Sequence, residues 1–322
     1  MSLRFFSDKS YYYSGGDMTV LIGNRVLKSC TAALLVLCAV LISACSSTKM
    51  AYRYADWGIV WWVEDYVTLN YAQKQQLNVD INDFRQWHCS SELPRYQSWL
   101  SGLESDIGQG TLDMTAVAFH QEQLFGFFPP LLSKVTPIAT NLLASLSDAQ
   151  VRELAENIEQ KQQEFEEEFM TDNPEASATA RAERTRGRVE RWLGDLNVDQ
   201  RAIVQTWSEQ RGRQTEIWLQ GRRNWQQALL SALERRSEEG FANGIEHLIK
   251  EPDEAQGEEY RAMMAESSTA MKTLMVDLIQ ASDTTHLAHL SNRTAELNSD
   301  FETLTCSPAP EVAASTGNQM VR

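Results

Sequence analysis

The stretch Tyr52-Arg53-Tyr54-Ala55-Asp56-Trp57-Gly58-Ile59-Val60-Trp61-Trp62-Val63-Glu64-Asp65-Tyr66-Val67-Thr68-Leu69 decides the fold. Within it Tyr52, Ala55, Ile59, Trp62, Val63, Tyr66 and Leu69 recur at spacings of three and four, the period of one helix face. Trp57, Trp61 and Trp62 belong to the same spacing and are expected in the core. The alternative is that these rings sit at the headgroup level of a membrane, where amphipathic aromatics are favoured.

The helical period continues outward. Leu77, Ile81, Phe84, His88 and Ser91 mark a second helix expected to stop before Pro94. Tyr96, Trp99, Leu100, Leu103 and Ile107 mark a third, ended at Gly108-Gln109-Gly110. Met114 to Phe128 follows and is broken at Pro129-Pro130, and 131–146 resumes around Pro137. Val151 to Phe169 is a helix, then comes a break at Asp172-Asn173-Pro174 and a charge-rich helix over 175–194. One long helix is expected from Asp199 to about Glu238, with two or three shorter ones leading to Leu304. No run of useful length alternates with period two. The fold class is all-α, a multi-helix bundle or array of about eight to ten helices, some of them long.

Three helix starts share a signature: Leu69-Asn70-Tyr71-Ala72-Gln73, Leu146-Ser147-Asp148-Ala149-Gln150 and Leu196-Asn197-Val198-Asp199-Gln200. Each reads as a capping box, with the Asn or Ser side chain accepting from the first turn and the Gln reaching back. The preceding Leu is placed to pack as a staple. A degenerate fourth lies at Ser282 to His286.

Upstream, the apolar run from Ala32 to Ala44 is 13 residues long, short of the about 20 that a spanning helix needs. Arg25 and Lys28 precede it, small residues end it, and Cys45 and a polar stretch follow at once. That layout is a secretory signal peptide, residues 1–44, cleaved between Ala44 and Cys45. A start at Met18 would give a compact leader. Ile42-Ser43-Ala44-Cys45 resembles a bacterial lipobox, which implies lipidation (diacyl and palmitoyl chains) of Cys45. Ser46 in place of Asp points to the periplasmic face of the outer membrane rather than to the inner membrane. Residues 45–50 then form a tether spanning at most about 20 Å, 51–306 an all-helical periplasmic domain, and 307–322 a disordered tail.

Composition excludes some partners. The chain carries a formal charge of −15. Residues 1–44 hold four basic and two acidic side chains, so the chain from Cys45 onward carries −17. Such a surface repels phosphate backbones, and no nucleic acid is expected. The partners expected are the membrane, through the N-terminal lipid, and an envelope protein or an unfolded-protein client.

Cys30, Cys38 and Cys45 belong to leader and anchor, leaving Cys89 and Cys306. In an oxidising compartment they form either a disulfide or two separate buried thiols. A bridge closing so long a loop is worth roughly 4–5 kcal/mol in the chain-entropy model.

Chemistry-bearing patterns are sparse. His88 and Glu92, four apart, are placed either as a general base with an orienting carboxylate or as a structural pair beside Trp87 and Tyr96. They are the candidate pair for an enzyme acting on an envelope polymer. His286 and His289 have metal-ligand spacing but no nearby third ligand. His120 and His247 are scattered. No nucleophile elbow, phosphate loop or zinc-protease pattern occurs, and neither metal nor cofactor is expected.

Two resemblances follow from these residues. The Leu-(Asn/Ser)-x-x-Gln starts are similar to the Leu-Thr-x-x-Gln motif of Spy-type periplasmic chaperones, helical proteins that bind unfolded clients. Tyr52 to Trp57, Trp61 to Leu69 and Trp87-His88-Cys89-Ser90-Ser91-Glu92-Leu93-Pro94-Arg95-Tyr96 resemble a family of proteobacterial outer-membrane lipoproteins of unknown function. Its Asp-Tyr-Val and Trp-His…Glu-Leu-Pro-x-Tyr elements are present, with Cys89 where a basic residue is expected. This resemblance implies a helical fold and an envelope location. The role expected of the chain as a whole is binding, client holding or envelope scaffolding, the alternatives being the enzyme above and a structural subunit of an envelope complex.

Overall fold

A computed structural model describes residues 47–170 and 173–307. The leader, Ala44, Cys45 and the tail from residue 308 therefore lie outside the described residues.

Every regular element described is helical: α1 (Ser47–Arg53), α2 (Ala55–Glu64), α3 (Tyr71–Trp87), a π turn (His88–Glu92), α4 (Leu93–Gln109), α5 (Met114–Phe125), α6 (Phe128–Ala144), α7 (Asp148–Phe169), α8 (Pro174–Leu193), α9 (Val198–Glu209), α10 (Gln214–Glu234), α11 (Phe241–Lys250), α12 (Pro252–Gln256), α13 (Glu258–Gln280) and α14 (Thr284–Leu304). The all-α class is borne out, and ten of the α-helices exceed ten residues.

Two apolar cores hold these helices together. Leu77 and Ile81 of α3, Leu154 and Ile158 of α7, Leu229 and Leu233 of α10, and Ile245 and Leu248 of α11 form the first. Ile107, Ala182, Val204, Leu274, Leu278 and Leu290 bring α4, α8, α9, α13 and α14 into the second. Leu233 and Leu100 are fully buried, a burial worth about 1.5–3 kcal/mol per side chain.

All three capping boxes form, and the leucine before each N-cap is buried. The fourth forms between Asp283 and His286, whose Nδ1 takes the place of a glutamine carbonyl. The boxes also meet in pairs. Gln73 Nε2 donates to Ser145 O at 3.0 Å, and Gln150 Nε2 donates to Thr68 O at 2.8 Å. Each reaches the carbonyl two residues before the other's N-cap. His286 Nε2 lies 3.1 Å from Asp195 O, again two residues before the partner N-cap, Asn197. The starts of α3 and α7, and those of α9 and α14, are thus joined by the same device.

Three helix boundaries differ from the sequence reading. The helix does not stop before Pro94: Trp87, His88, Glu92 and Leu93 all keep right-handed helical dihedrals. Leu93 N–H bonds His88 O, five residues back, so the extra residue of the π turn absorbs the proline at the start of α4. The long helix expected over 199–238 is two, α9 and α10, separated where Gly212 takes φ +48°. Buried Arg181 of α8 caps that break, donating to Ser208 O at 2.8 Å and Thr215 Oγ1 at 3.3 Å. The C-terminal helices are not all short, since α13 has 23 residues and α14 has 21.

Candidate functional site

The π turn is the most densely cross-linked point near the start of the described chain. It lies within the continuous α3–α4 run, and His88 on it sits in a ring of aromatics. His88 Nδ1 lies 3.1 Å from Tyr52 Oη. Its ring packs 5.6 Å from Tyr52, 5.8 Å from Phe84 and 5.5 Å from Tyr96, centre to centre. Tyr96 in turn packs 4.5 Å from Phe127 in the α5–α6 turn and 5.9 Å from Phe301 of α14. Burial pushes the His88 imidazole below its ordinary value. Burial, with Glu92 nearby, pushes the Tyr96 hydroxyl up to about 12. Both side chains are therefore neutral near pH 7.

The candidate pair is not brought together. Glu92 is buried, and its Oε2 accepts from Arg95 Nη1 at 2.6 Å, while His88 turns to Tyr52. A base needs its orienting carboxylate within hydrogen-bond reach, and here the partners are a phenol and a guanidinium. The residues act as joints between α1, the π turn and α4.

Cys89, buried in the same turn, is bonded to Cys306, 217 positions along the chain, with Cα atoms 5.3 Å apart. Cys306 N–H also bonds Cys89 O at 3.3 Å. The segment after α14 is thereby stitched to the π turn.

The other histidines are structural or exposed. His286 is used by its cap and by Asp195 O. The His289 ring packs against Gly194, where a Cβ would meet it at 3.4 Å. His120, buried, pairs with Asp106 at 2.9 Å, a contact that the sequence reading missed because the partners are 14 residues apart on different helices. His247, Glu251 and Glu254 place one ligand atom each within 4.8 Å of one another, but all three are exposed. His247 Nε2 is already paired with Glu254 at 2.8 Å.

Open pockets lie on the surface of the described residues. One of about 470 Å³ lies between α4 and α14, lined by Gln97, Ser98, Ser101, Asn298, Ser299 and Glu302. One of about 610 Å³ surrounds Gly194, Asn197, His286 and His289. Both are lined mainly by polar groups, unlike the hydrophobic groove of a client-holding protein.

The core placement of the tryptophans is overturned. Trp57 is 67 % exposed, Trp62 49 % and Trp61 44 %, and α2 has no fully buried residue. Of its side chains, Val60 and Val63 pack against the first core. Between Asp56 and Glu64 every residue is apolar, so the period singles out no one face. Trp57 and Trp61 stack at 6.4 Å, and Trp62 meets Tyr66 at 5.4 Å. Lys74 pairs with Glu64 at 2.6 Å and ties the far end of α2 to α3. No helix among the described residues is long and apolar enough to cross a membrane.

Neither a curated protein nor a solved structure matches the chain. Residues 65–261, from the end of the tryptophan helix to the first turn of α13, match a family of unknown function, DUF6279. That match covers more than half of the sequence, and the chain belongs to this family.

Proposed function

We propose that this chain is a lipid-anchored envelope protein that works by binding and scaffolding, held through Cys45 on the periplasmic face of the outer membrane with α2 lying against the bilayer. The observation that carries this reading is the exposure of Trp57, Trp61 and Trp62 on a helix that starts ten residues after Cys45. A helix apolar on nearly every side is normally buried in protein or in lipid. Among the described residues, Val60 and Val63 of α2 pack against the first core, and exposed indole rings favour the interfacial zone.

Scaffolding is favoured over client holding because the two pockets described above are lined mainly by polar groups. It is favoured over catalysis because His88 and Glu92 are engaged elsewhere.

The test is mass spectrometry of the protein extracted from membranes. The reading requires an N-terminal peptide that starts at acylated Cys45. An N-terminus retaining residues 1–44, with an unmodified Cys45 thiol, refutes it.

A further inference from the structure

A second apolar surface lies away from α2. Leu124-Phe125-Gly126-Phe127-Phe128-Pro129-Pro130-Leu131-Leu132-Ser133, running from the end of α5 through the turn into the start of α6, contains no charged residue. Phe125 and Phe128 are each 51 % exposed and lie 6.4 Å apart, with Leu124 38 % exposed beside them. Phe127 points the other way, is buried against Tyr96, and carries the Arg95 guanidinium 5.5 Å above its ring. The tip is thus pinned from beneath rather than left as a loose loop. Pro129 and Pro130 stiffen the first turn of α6.

The tip's position names its occupant. Ring centres run from Tyr52 to His88 at 5.6 Å, to Tyr96 at 5.5 Å and to Phe127 at 4.5 Å. The tip's buried ring therefore lies within about 16 Å of α1, the helix that begins two residues after Cys45. That distance is about half the thickness of a bilayer's hydrocarbon core. Lys134 follows the uncharged run on α6, exposed at its edge and 5.3 Å from the Trp87 ring, where a cation meets lipid phosphate.

We propose that Leu124, Phe125 and Phe128 form a second bilayer contact, entering the interfacial zone of the membrane that holds the N-terminus. This rests on the anchored reading above and extends it from one contact to two. A body held at two apolar points has a fixed orientation on the membrane, which a single point of attachment does not give.

The test uses the full chain isolated from membranes and returned to phosphatidylethanolamine–phosphatidylglycerol vesicles. A Phe125→Cys variant is spin-labelled, with Phe128→Cys as a second probe and Val198→Cys, at a site 73 % exposed, as the aqueous control. Cys89 and Cys306 are bonded to each other and do not take label. On vesicle-bound protein, the labels at 125 and 128 should relax faster with oxygen than with a water-soluble nickel complex, and the label at 198 the reverse. Labels at 125 and 128 that behave like the one at 198 overturn the tip contact, including the outcome in which the tip faces a protein partner. Additional labels at Cys30, Cys38 and Cys45 would strike the anchored reading instead, because they require an uncleaved leader. Failure to float with the vesicles overturns both.

Discussion

Gln73 and Gln150 hold each other across the starts of two helices: Gln150 Nε2 donates to Gln73 Oε1 at 2.7 Å, and Gln73 Nε2 donates to Gln150 Oε1 at 3.2 Å. Each carbonyl also accepts the N–H of its own N-cap, from Asn70 at 2.9 Å and Ser147 at 3.0 Å. Four helix-start groups that would otherwise lack partners are satisfied by two amides.

Replacing Gln150 with Leu leaves the Ser147 N–H and the Thr68 carbonyl without partners and removes both bonds to Gln73, whose amide keeps those to Asn70 and Ser145. At about 1 kcal/mol net for each such bond, the variant should lose about 2–3 kcal/mol in urea unfolding. The double variant with Gln73→Leu should lose less than the sum of the singles, because the pair shares its bonds. Strict additivity would mean that the two glutamines act independently.

Gly221 of α10 lies under Tyr260 of α13, and a Cβ there would stand 2.9 Å from Tyr260 Cγ and closer still to Cδ2. Ala favours helix by about 1 kcal/mol over Gly, so an uncrowded site would gain stability. Gly221→Ala is instead expected to lose about 1–3 kcal/mol through overpacking. A rise in melting temperature would show that the two helices separate at no cost.

The Cys89–Cys306 bond closes a loop of more than 200 residues. The chain-entropy relation puts its contribution at about 5 kcal/mol. Reduction, or Cys306→Ser, should shift the denaturation midpoint down by a large fraction of the total stability. An unchanged midpoint would mean that the stitch holds only the segment after α14.

His88 provides a pH signature. Burial lowers its pKa in the folded state, so folding favours the neutral ring. Its contribution is fully present above about pH 6.5, the unfolded value, and is lost as pH falls through that value toward the lower folded one. Asp148, bonded to Arg236, and Asp283, bonded to the His286 backbone, also have lowered values. Their contributions are lost only in a separate window, as pH falls below about 3.8. The His88 imidazole signal should titrate below 6.5 by NMR, and a value above it would contradict the buried placement.

Local features were legible in the chain, whereas long-range ones were not. The capping boxes were readable because donor and acceptor lie three residues apart. Their pairing joins residues 77 positions apart, and no spacing encodes that. The break at Gly212 needed Arg181 from another helix to satisfy it. Pro94 stops a helix only if no extra residue relaxes the turn, and the π geometry at His88–Glu92 supplies one. Trp57, Trp61 and Trp62 were misplaced because three–four spacing describes a buried stripe and an all-round apolar helix equally well. The uninterrupted apolar run from 57 to 63 was the available warning. The spacing of His88 and Glu92 suggested a pair, but their side-chain partners are Tyr52 and Arg95, which that spacing does not encode.

The most direct test of the account is depth-resolved quenching of tryptophan fluorescence by brominated phospholipids. It uses the full chain isolated from membranes, beside its Trp57→Phe/Trp61→Phe/Trp62→Phe variant. The account predicts strong quenching of the wild type by bromines near the headgroups and loss of most of that quenching in the variant, whose remaining tryptophans lie in the helical body. Quenching of equal depth and extent in both proteins, or none in the wild type, would contradict it.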